Sequence, residues 1–124
     1  MIARIEKSGI RVELEEDVTR YIDRKVGRLD RYMPRNARAS AHAIVTIRNV
    51  ASQAGNKYQC EVILHLPGET ITAKESAPNK FAAIDIVEEK LKNQLRKYKQ
   101  TRAARRAGVF NKVRQRFFSA DASN

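Results

Sequence analysis

The spacing of apolar residues along this chain switches between two periods, and each switch marks a new element. Residues 39–49 and 58–66 alternate between apolar and polar side chains, which is typical of half-buried strands. Residues 51–56 are predicted to form the loop between them. The Pro67-Gly68 pair predicts a turn, after which residues 70–74 supply a third strand. Three consecutive strands joined in this way predict an antiparallel meander.

A helical period precedes the meander. From about Glu15 to Met33, apolar residues recur at steps of three and four, which places them on one face of an α-helix that Pro34 ends. Before this helix, Ile2–Lys7 is partly alternating and predicts a first strand, which Ser8-Gly9 ends.

A second helical period follows the meander. Residues 76–79 combine capping residue types with a proline, and the apolar spacing after them continues to about Ala107, before Gly108. The order β-α-β-β-β-α predicts an α+β two-layer sandwich, with both helices on one face of a four-stranded antiparallel sheet. We expect one domain over residues 1–107 and a basic, flexible tail over residues 108–124.

Positive charge is concentrated in the second half of the chain. The formal net charge is +11, and ten Lys and Arg residues from Lys92 to Arg116 lie in a stretch without any acid. Such a run repels itself unless a polyanion neutralises it, so nucleic acid is the expected partner. Two alternatives stay open: a solvated tail that only keeps the chain soluble, and a membrane surface.

Several classes of protein are disfavoured. No apolar run approaches the roughly 20 residues of a membrane span, and the N-terminus lacks the pattern of a secretory signal. The lone cysteine, Cys60, cannot form an intrachain disulfide. His42 lies on another strand, and Cys60 and His65 face opposite sides of theirs, so no nucleophile pair is indicated. We therefore expect no enzyme, cofactor, metal site or small-molecule substrate.

Basic side chains line one flank of the first helix, whereas acidic side chains line the other. Lys25 lies at the edge of the apolar stripe, where it could contact a phosphate or simply extend its stem to water. On the second helix, Lys90 and Lys97 lie away from the core face. Arg96 lies beside acidic residues of its own helix, so an internal ion pair is the alternative to a phosphate contact.

Four tyrosines could stack on bases. Packing at the edge of the core is the favoured interpretation, because aromatic residues make up only 6% of the chain. These residues are Tyr21, Tyr32, Tyr58 and Tyr98.

The second helix also carries a family signature. Residues 81–85 (Phe-Ala-Ala-Ile-Asp), followed by Lys90-Leu91, Gln94-Leu95 and residues 97–99, resemble the ribosome hibernation promoting factor family, which includes ribosome-associated translation inhibitors. The family's aromatic, lysine, leucine and aromatic positions in the first helix are occupied by Tyr21, Lys25, Leu29 and Tyr32. The similarity covers about residues 1–100.

The resemblance implies the same sandwich, with a shape like that of double-stranded RNA-binding domains. It implies a factor that occupies the mRNA and tRNA channel of the small ribosomal subunit and inhibits translation in idle ribosomes under stress. We expect a cytoplasmic protein, monomeric in isolation, whose partner is the small subunit and its rRNA. The resemblance assigns phosphate contacts to Lys25, Arg28, Lys90, Lys97 and Lys99. Other basic residues are added to this set. The predicted rRNA-binding residues are Arg24, Lys25, Arg28, Arg31, Lys74, Lys80, Lys90, Arg96, Lys97, Lys99, Arg102 and Arg105.

The chain departs from the family pattern in places. Phe81 replaces a tyrosine, and Asn93 stands where many members have arginine. Long members add a dimerising C-terminal domain, which the 16 residues after Gly108 cannot form. The tail could lie in the mRNA channel or be disordered, and the chain could be a fragment of a long member. The alternative functions are a general structured-RNA binder, and an RNA-processing enzyme or a regulator that works through a protein partner.

Overall fold

The computed structural model describes the backbone of residues 1–50 and 55–118 and the side chains of residues 1–50 and 55–101. The predicted loop at residues 51–56 and the end of the predicted tail fall largely outside the described residues. The elements, in chain order, are β1 (Arg4–Ile10), α1 (Glu16–Gly27), a 3₁₀ helix (Arg28–Tyr32), α2 (Arg35–Arg38), β2 (His42–Asn49), β3 (Tyr58–Leu66), β4 (Glu69–Ala77) and α3 (Lys80–Phe118).

Four strands form one sheet in the order β1-β2-β3-β4. The pairs β2–β3 and β3–β4 are antiparallel, which confirms the meander, whereas β1 runs parallel to β2. The sheet is therefore mixed, and the prediction of an antiparallel sheet is wrong for its first strand. A strand whose connection contains a helix can return in its original direction, and α1 provides that connection here.

Both helices pack on the same face of this sheet, which confirms the predicted two-layer α+β architecture. Every second side chain of β2 and β3 is buried, and these side chains join the apolar stripes of α1 and α3 in one core. The predicted likeness to double-stranded RNA-binding domains stays a prediction. The fully buried side chains of this core include Ile22, Leu29, Met33, Ile47, Leu64, Ile84, Leu91 and Leu95.

The first helix is divided at Gly27, although its predicted apolar stripe is buried as expected. The amide of Ile2 donates a 2.9 Å hydrogen bond to the carbonyl of Gly27, and the chain then tightens into the 3₁₀ helix. A Cβ atom at position 27 would crowd only the far end of the exposed Met1 side chain, which can move aside, so the bond from Ile2 marks this boundary more than the missing side chain does. The prediction of one α-helix as far as Met33 is therefore wrong at its end.

Two further boundaries differ from the predictions. Ser8 and Gly9 do not end β1, because both pair in register with β2 and the strand continues to Ile10. Such pairing outweighs the weak strand preference of glycine. The short helix α2 was not predicted, and the second strand consequently begins at His42 and not at residue 39.

The last helix, α3, is 39 residues long and continues through Gly108 to Phe118, so its predicted end at Ala107 is wrong. A glycine inside a helix costs only about 1 kcal/mol relative to alanine, and the residues on both sides are mostly good helix formers. The predicted start is confirmed, since the Asn79 side-chain oxygen accepts a 2.8 Å hydrogen bond from the amide of Ala82.

The packing of the core predicts that alanine substitutions at two positions of α3 lower stability by different amounts. Leu91 is fully buried, whereas Ile86 is 40% exposed. Leu91→Ala should lower the free energy of unfolding by about 2–5 kcal/mol, and the matched Ile86→Ala variant by less than about 1 kcal/mol. Urea titration followed by circular dichroism measures both, and equal losses would contradict the orientation of α3.

Candidate nucleic-acid interface

The outer surface where α1 and the 3₁₀ helix lie beside α3 brings together most of the charged and aromatic side chains singled out in the sequence. We call this surface the helix face. Its two halves differ in charge, because α3 is acidic near its start and basic further along. The first half of the helix face comprises Tyr21, Arg24, Lys25, Arg28, Phe81, Asp85 and Glu88. The second half comprises Arg31, Tyr32, Lys92, Arg96 and Lys99.

In the first half, two carboxylates of α3 neutralise Lys25 and Arg28, whereas Arg24 lies over the ring of Tyr21. Among the described side chains, Glu88 alone is both charged and buried, with 7% of the residue exposed. Its Oε2 atom accepts a 3.2 Å hydrogen bond from Nε of Arg28, and its Oε1 atom lies 3.6 Å from Nζ of Lys25. Asp85 Oδ1 lies 3.3 Å from the same lysine nitrogen. Lys25 of α1 and Arg28 of the 3₁₀ helix therefore already have anionic partners in the free protein.

Lys25 is a partly buried cation that stays charged. Burial alone would lower the pKa of its ammonium group, but Glu88, Asp85 and Tyr21 outweigh that effect and raise the pKa above its ordinary value. The Lys25 side chain is 19% exposed, whereas that of Arg28 is 39% exposed. Of the two proposed phosphate contacts, Arg28 has the larger surface left for an outside partner.

Aromatic contacts hold this half in place. The Tyr21 hydroxyl donates a 2.5 Å hydrogen bond to Asp85, and this bond is the first cause of the raised pKa of the phenol. The Tyr21 ring meets the edge of Phe81 at a centroid distance of 5.1 Å. Arg24 lies over the same ring at 5.1 Å. These contacts favour the core-edge interpretation of Tyr21.

The second half of the helix face is cationic. Lys92 and Arg96 of α3 lie 5.4 and 5.8 Å from the ring centre of Tyr32. Arg96 also donates a 3.4 Å hydrogen bond to the side-chain oxygen of Asn93, and within the described part of the chain it forms no ion pair. Arg31 and Lys99 are exposed. Among the described side chains of this half, Lys92 alone forms an ion pair, with Glu89 at 3.3 Å, so this half has spare positive charge.

Other predicted contacts lie elsewhere on the domain. Lys90 is on the opposite flank of α3, where it is paired with Glu75 of β4 and lowers the pKa of that carboxyl through their hydrogen bond. Lys97 lies on this flank too, beside the start of β4. Arg102 and Arg105 fall where no side chains are described.

Lys74 and Lys80 are separated from the helix face. Lys74 is exposed on the far side of the sheet, opposite Glu61 of β3. The ammonium group of Lys80 is bound by both carboxylate oxygens of Glu15, at 2.7 and 2.8 Å, and by the carbonyl of Glu13. Lys80 therefore joins the starts of the two helices.

Sequence reasoning missed three contributors to the helix face: Lys92, Asp85 and Glu88. The helical spacing did place Lys92 at the edge of the core. Its contact with the ring of Tyr32 could not be predicted, because the 3₁₀ helix determines where that ring lies. The signal for the two carboxylates was their position opposite the basic flank of α1. Only the packing of α1 against α3 shows which cations they meet.

The described residues offer little for catalysis or metal binding. Cys60 is buried, and burial raises the pKa of its thiol to about 12. No group of three or more metal-ligating side chains occurs within residues 1–50 and 55–101. In the same part of the chain, no helix combines the length and apolar character needed to cross a membrane.

Comparison with known proteins gives a consistent family. The sequence profile of the family described as "Sigma 54 modulation protein / S30EA ribosomal protein" matches residues 5–103. A ribosome hibernation promotion factor from Deinococcus radiodurans is 37% identical over 92 residues, which cover 74% of this chain and 47% of that protein. Its counterpart from Lactococcus lactis subsp. cremoris is 32% identical over 91 residues, covering 73% and 46%. The chain thus spans about half the length of these relatives.

Solved structures share the fold. The N-terminal domain of Protein Y from Thermus thermophilus superposes with a TM-score of 0.66 at 25% identity, covering 77% of this chain and 98% of that domain. A ribosomal subunit interface protein from Coxiella burnetii superposes with a TM-score of 0.64 at 23% identity, covering 78% and 98%. The second likeness concerns the fold alone.

The two halves of the helix face predict different responses to charge reversal. Lys25→Glu would bring a third carboxylate beside Asp85 and Glu88 and should lower the free energy of unfolding by on the order of 2 kcal/mol or more. Lys99→Glu changes the charge equally at an exposed position and should cost less than about 0.5 kcal/mol. Thermal unfolding of both variants tests this, and an unchanged melting temperature for Lys25→Glu would refute the paired state of that lysine.

Proposed function

The chain belongs to the Sigma 54 modulation protein / S30EA ribosomal protein family, and from that membership we propose that it is a ribosome-binding hibernation factor. It binds the small ribosomal subunit through rRNA, occupies the mRNA and tRNA channel and inhibits translation in idle ribosomes of the cytoplasm. The relatives named above as ribosome hibernation promotion factors support this role. The proposal concerns the half of those proteins that this chain shares.

The observation that carries the proposal is the spare positive charge of the second half of the helix face. Arg96 and Lys99 have no carboxylate partner among the described residues. Beyond them, the sequence of α3 contains further Lys and Arg residues and no Asp or Glu. Phosphates can supply the missing negative charge, and contacts to phosphates account for most of the affinity of RNA-binding surfaces. The cations are carried on two packed helices, so their spacing is fixed before binding.

The proposed contacts are a part of the predicted set. Arg96 lies at the Tyr32 ring, Arg31 and Lys99 are exposed, and Arg28 has surface free beyond its bond to Glu88. Lys97 and Lys90 extend the charge around α3, and Arg102 and Arg105 continue it along the helix axis. We leave out Lys74 and Lys80, because one lies on the other face of the sheet and the other is held by Glu15.

Specificity on this proposal comes from the shape of the assembled subunit. The described part of the helix face has few exposed aromatic rings for stacking on bases, so the protein recognises where phosphates lie and not which bases they join. A general RNA binder would use the same charges without that preference. The difference between the two is measurable in direct competition.

Sedimentation through a sucrose gradient tests the proposal. The protein should travel with vacant small subunits at moderate salt and resist a tenfold mass excess of a generic RNA duplex as competitor. Arg96→Glu should weaken the association by about tenfold. It should also lower the slope of log affinity against log salt concentration by about the amount that one phosphate contact contributes. The matched charge reversal Lys74→Glu, on the opposite face, should leave it unchanged.

Two results would contradict the proposal. Complete release of the wild-type protein by the duplex would leave only a general RNA-binding domain. Equal weakening by Arg96→Glu and Lys74→Glu would mean that overall charge, and not the helix face, determines binding.

A further inference from the structure

The first half of the helix face has an arrangement that affinity for RNA alone does not explain. A surface built only to attract phosphates would keep its cations free, yet Glu88 and Asp85 occupy the space beside Lys25 and Arg28. Glu88 is nearly inaccessible to solvent, and burying a carboxylate is unfavourable unless cations surround it. The two carboxylates are therefore integral to this surface.

We infer that Asp85 and Glu88 determine specificity by withholding Lys25 and Arg28 from RNA that does not fit the helix face. This inference rests on the proposed function and gives these two carboxylates a role in choosing between RNA targets. The carboxylate oxygens take the place that phosphate oxygens would take at these two cations. An arbitrary phosphate must compete with Glu88, 3.2 Å from Nε of Arg28, and with Asp85, 3.3 Å from Nζ of Lys25.

The competition affects the two kinds of RNA differently. A generic duplex gains affinity from each free cation it can reach, because every phosphate contact releases a condensed counterion. The paired cations contribute little to that sum. A rigid target with a phosphate placed at the exposed side of Arg28 can add a contact without breaking the bond to Glu88, since 39% of that side chain is open. The carboxylates thus reduce binding to generic RNA more than binding to a matching surface.

Contacts with Tyr21 hold the Asp85 carboxylate beside Lys25. The hydroxyl of Tyr21 donates to the same oxygen of Asp85 that lies near Lys25, and Phe81 packs against the Tyr21 ring. These contacts fix the position of Asp85 on a surface where it is otherwise half exposed. The ion pair between Asp85 and Lys25 is therefore held by packing as well as by charge.

The test compares two isosteric substitutions that remove the same single negative charge. Glu88→Gln frees Lys25 and Arg28 from one partner, whereas the control Glu16→Gln acts on an exposed carboxylate of α1 whose ion pair is with Arg20. Affinity for a generic RNA duplex is measured by fluorescence anisotropy at several salt concentrations. Glu88→Gln should bind the duplex roughly five- to tenfold more tightly than the control at 0.1 M salt, with a steeper salt dependence. Affinity for vacant small subunits should rise less than that.

Equal duplex affinities of Glu88→Gln and Glu16→Gln would overturn the inference, because only overall charge would then matter. Asp85→Asn, at a half-exposed position, provides the same comparison if Glu88→Gln does not fold, and its expected gain has the same direction. The proposed function fails on a different result, namely loss of wild-type binding to the small subunit. The duplex measurement does not depend on that outcome.

Discussion

The apolar stripes of α1 and α3 are buried against the same face of the sheet, and the arrangement of the charged groups on the helix face follows from that packing. Each stripe fixes the rotation of its helix about its own axis. The flank of α1 and the 3₁₀ helix that carries Tyr21, Lys25 and Arg28 consequently faces the flank of α3 that carries Asp85 and Glu88. If either helix were rotated by one residue, the buried carboxylate would lose its cations.

The periodic parts of the fold could be predicted from the sequence, because each depends on local spacing. The stripe from Val18 to Met33 and the alternation along β2 and β3 are buried as expected. The parallel pairing of β1 and the end of α1 at Gly27 could not be predicted in this way. The pairing depends on contacts of β1 with residues 42–48, and the end of α1 depends on the bond from Ile2 to the Gly27 carbonyl. The helix that continues through Gly108 shows the converse, since a single glycine does not outweigh good helix formers around it.

The candidate site was predictable in its charges but not in their pairing. The positions of Lys25, Arg28 and Arg96 on the flanks of their helices follow from the helical period alone. The separation of Lys74 onto the other face, and the binding of Lys80 by Glu15, depend on how strands and helix starts meet in space. The same packing divides the helix face into a neutralised half and a cationic half. On our account the cationic half supplies affinity for phosphates, and the neutralised half limits that affinity to a target of the right shape.

We propose that the helix face, and not the open face of the sheet, lies against the small ribosomal subunit. Labelling with a thiol-reactive reagent tests it most directly, because Cys60 is the one cysteine of the chain and its buried thiol, with a pKa raised to about 12, should react slowly. A cysteine is introduced at Arg96 (Arg96→Cys) or, as the control, at Lys74 (Lys74→Cys), and labelling rates are compared with and without vacant small subunits. We predict that the subunits protect the cysteine at position 96 and leave the one at position 74 reactive. Equal labelling of both positions in the complex, or protection of position 74 alone, would contradict this account.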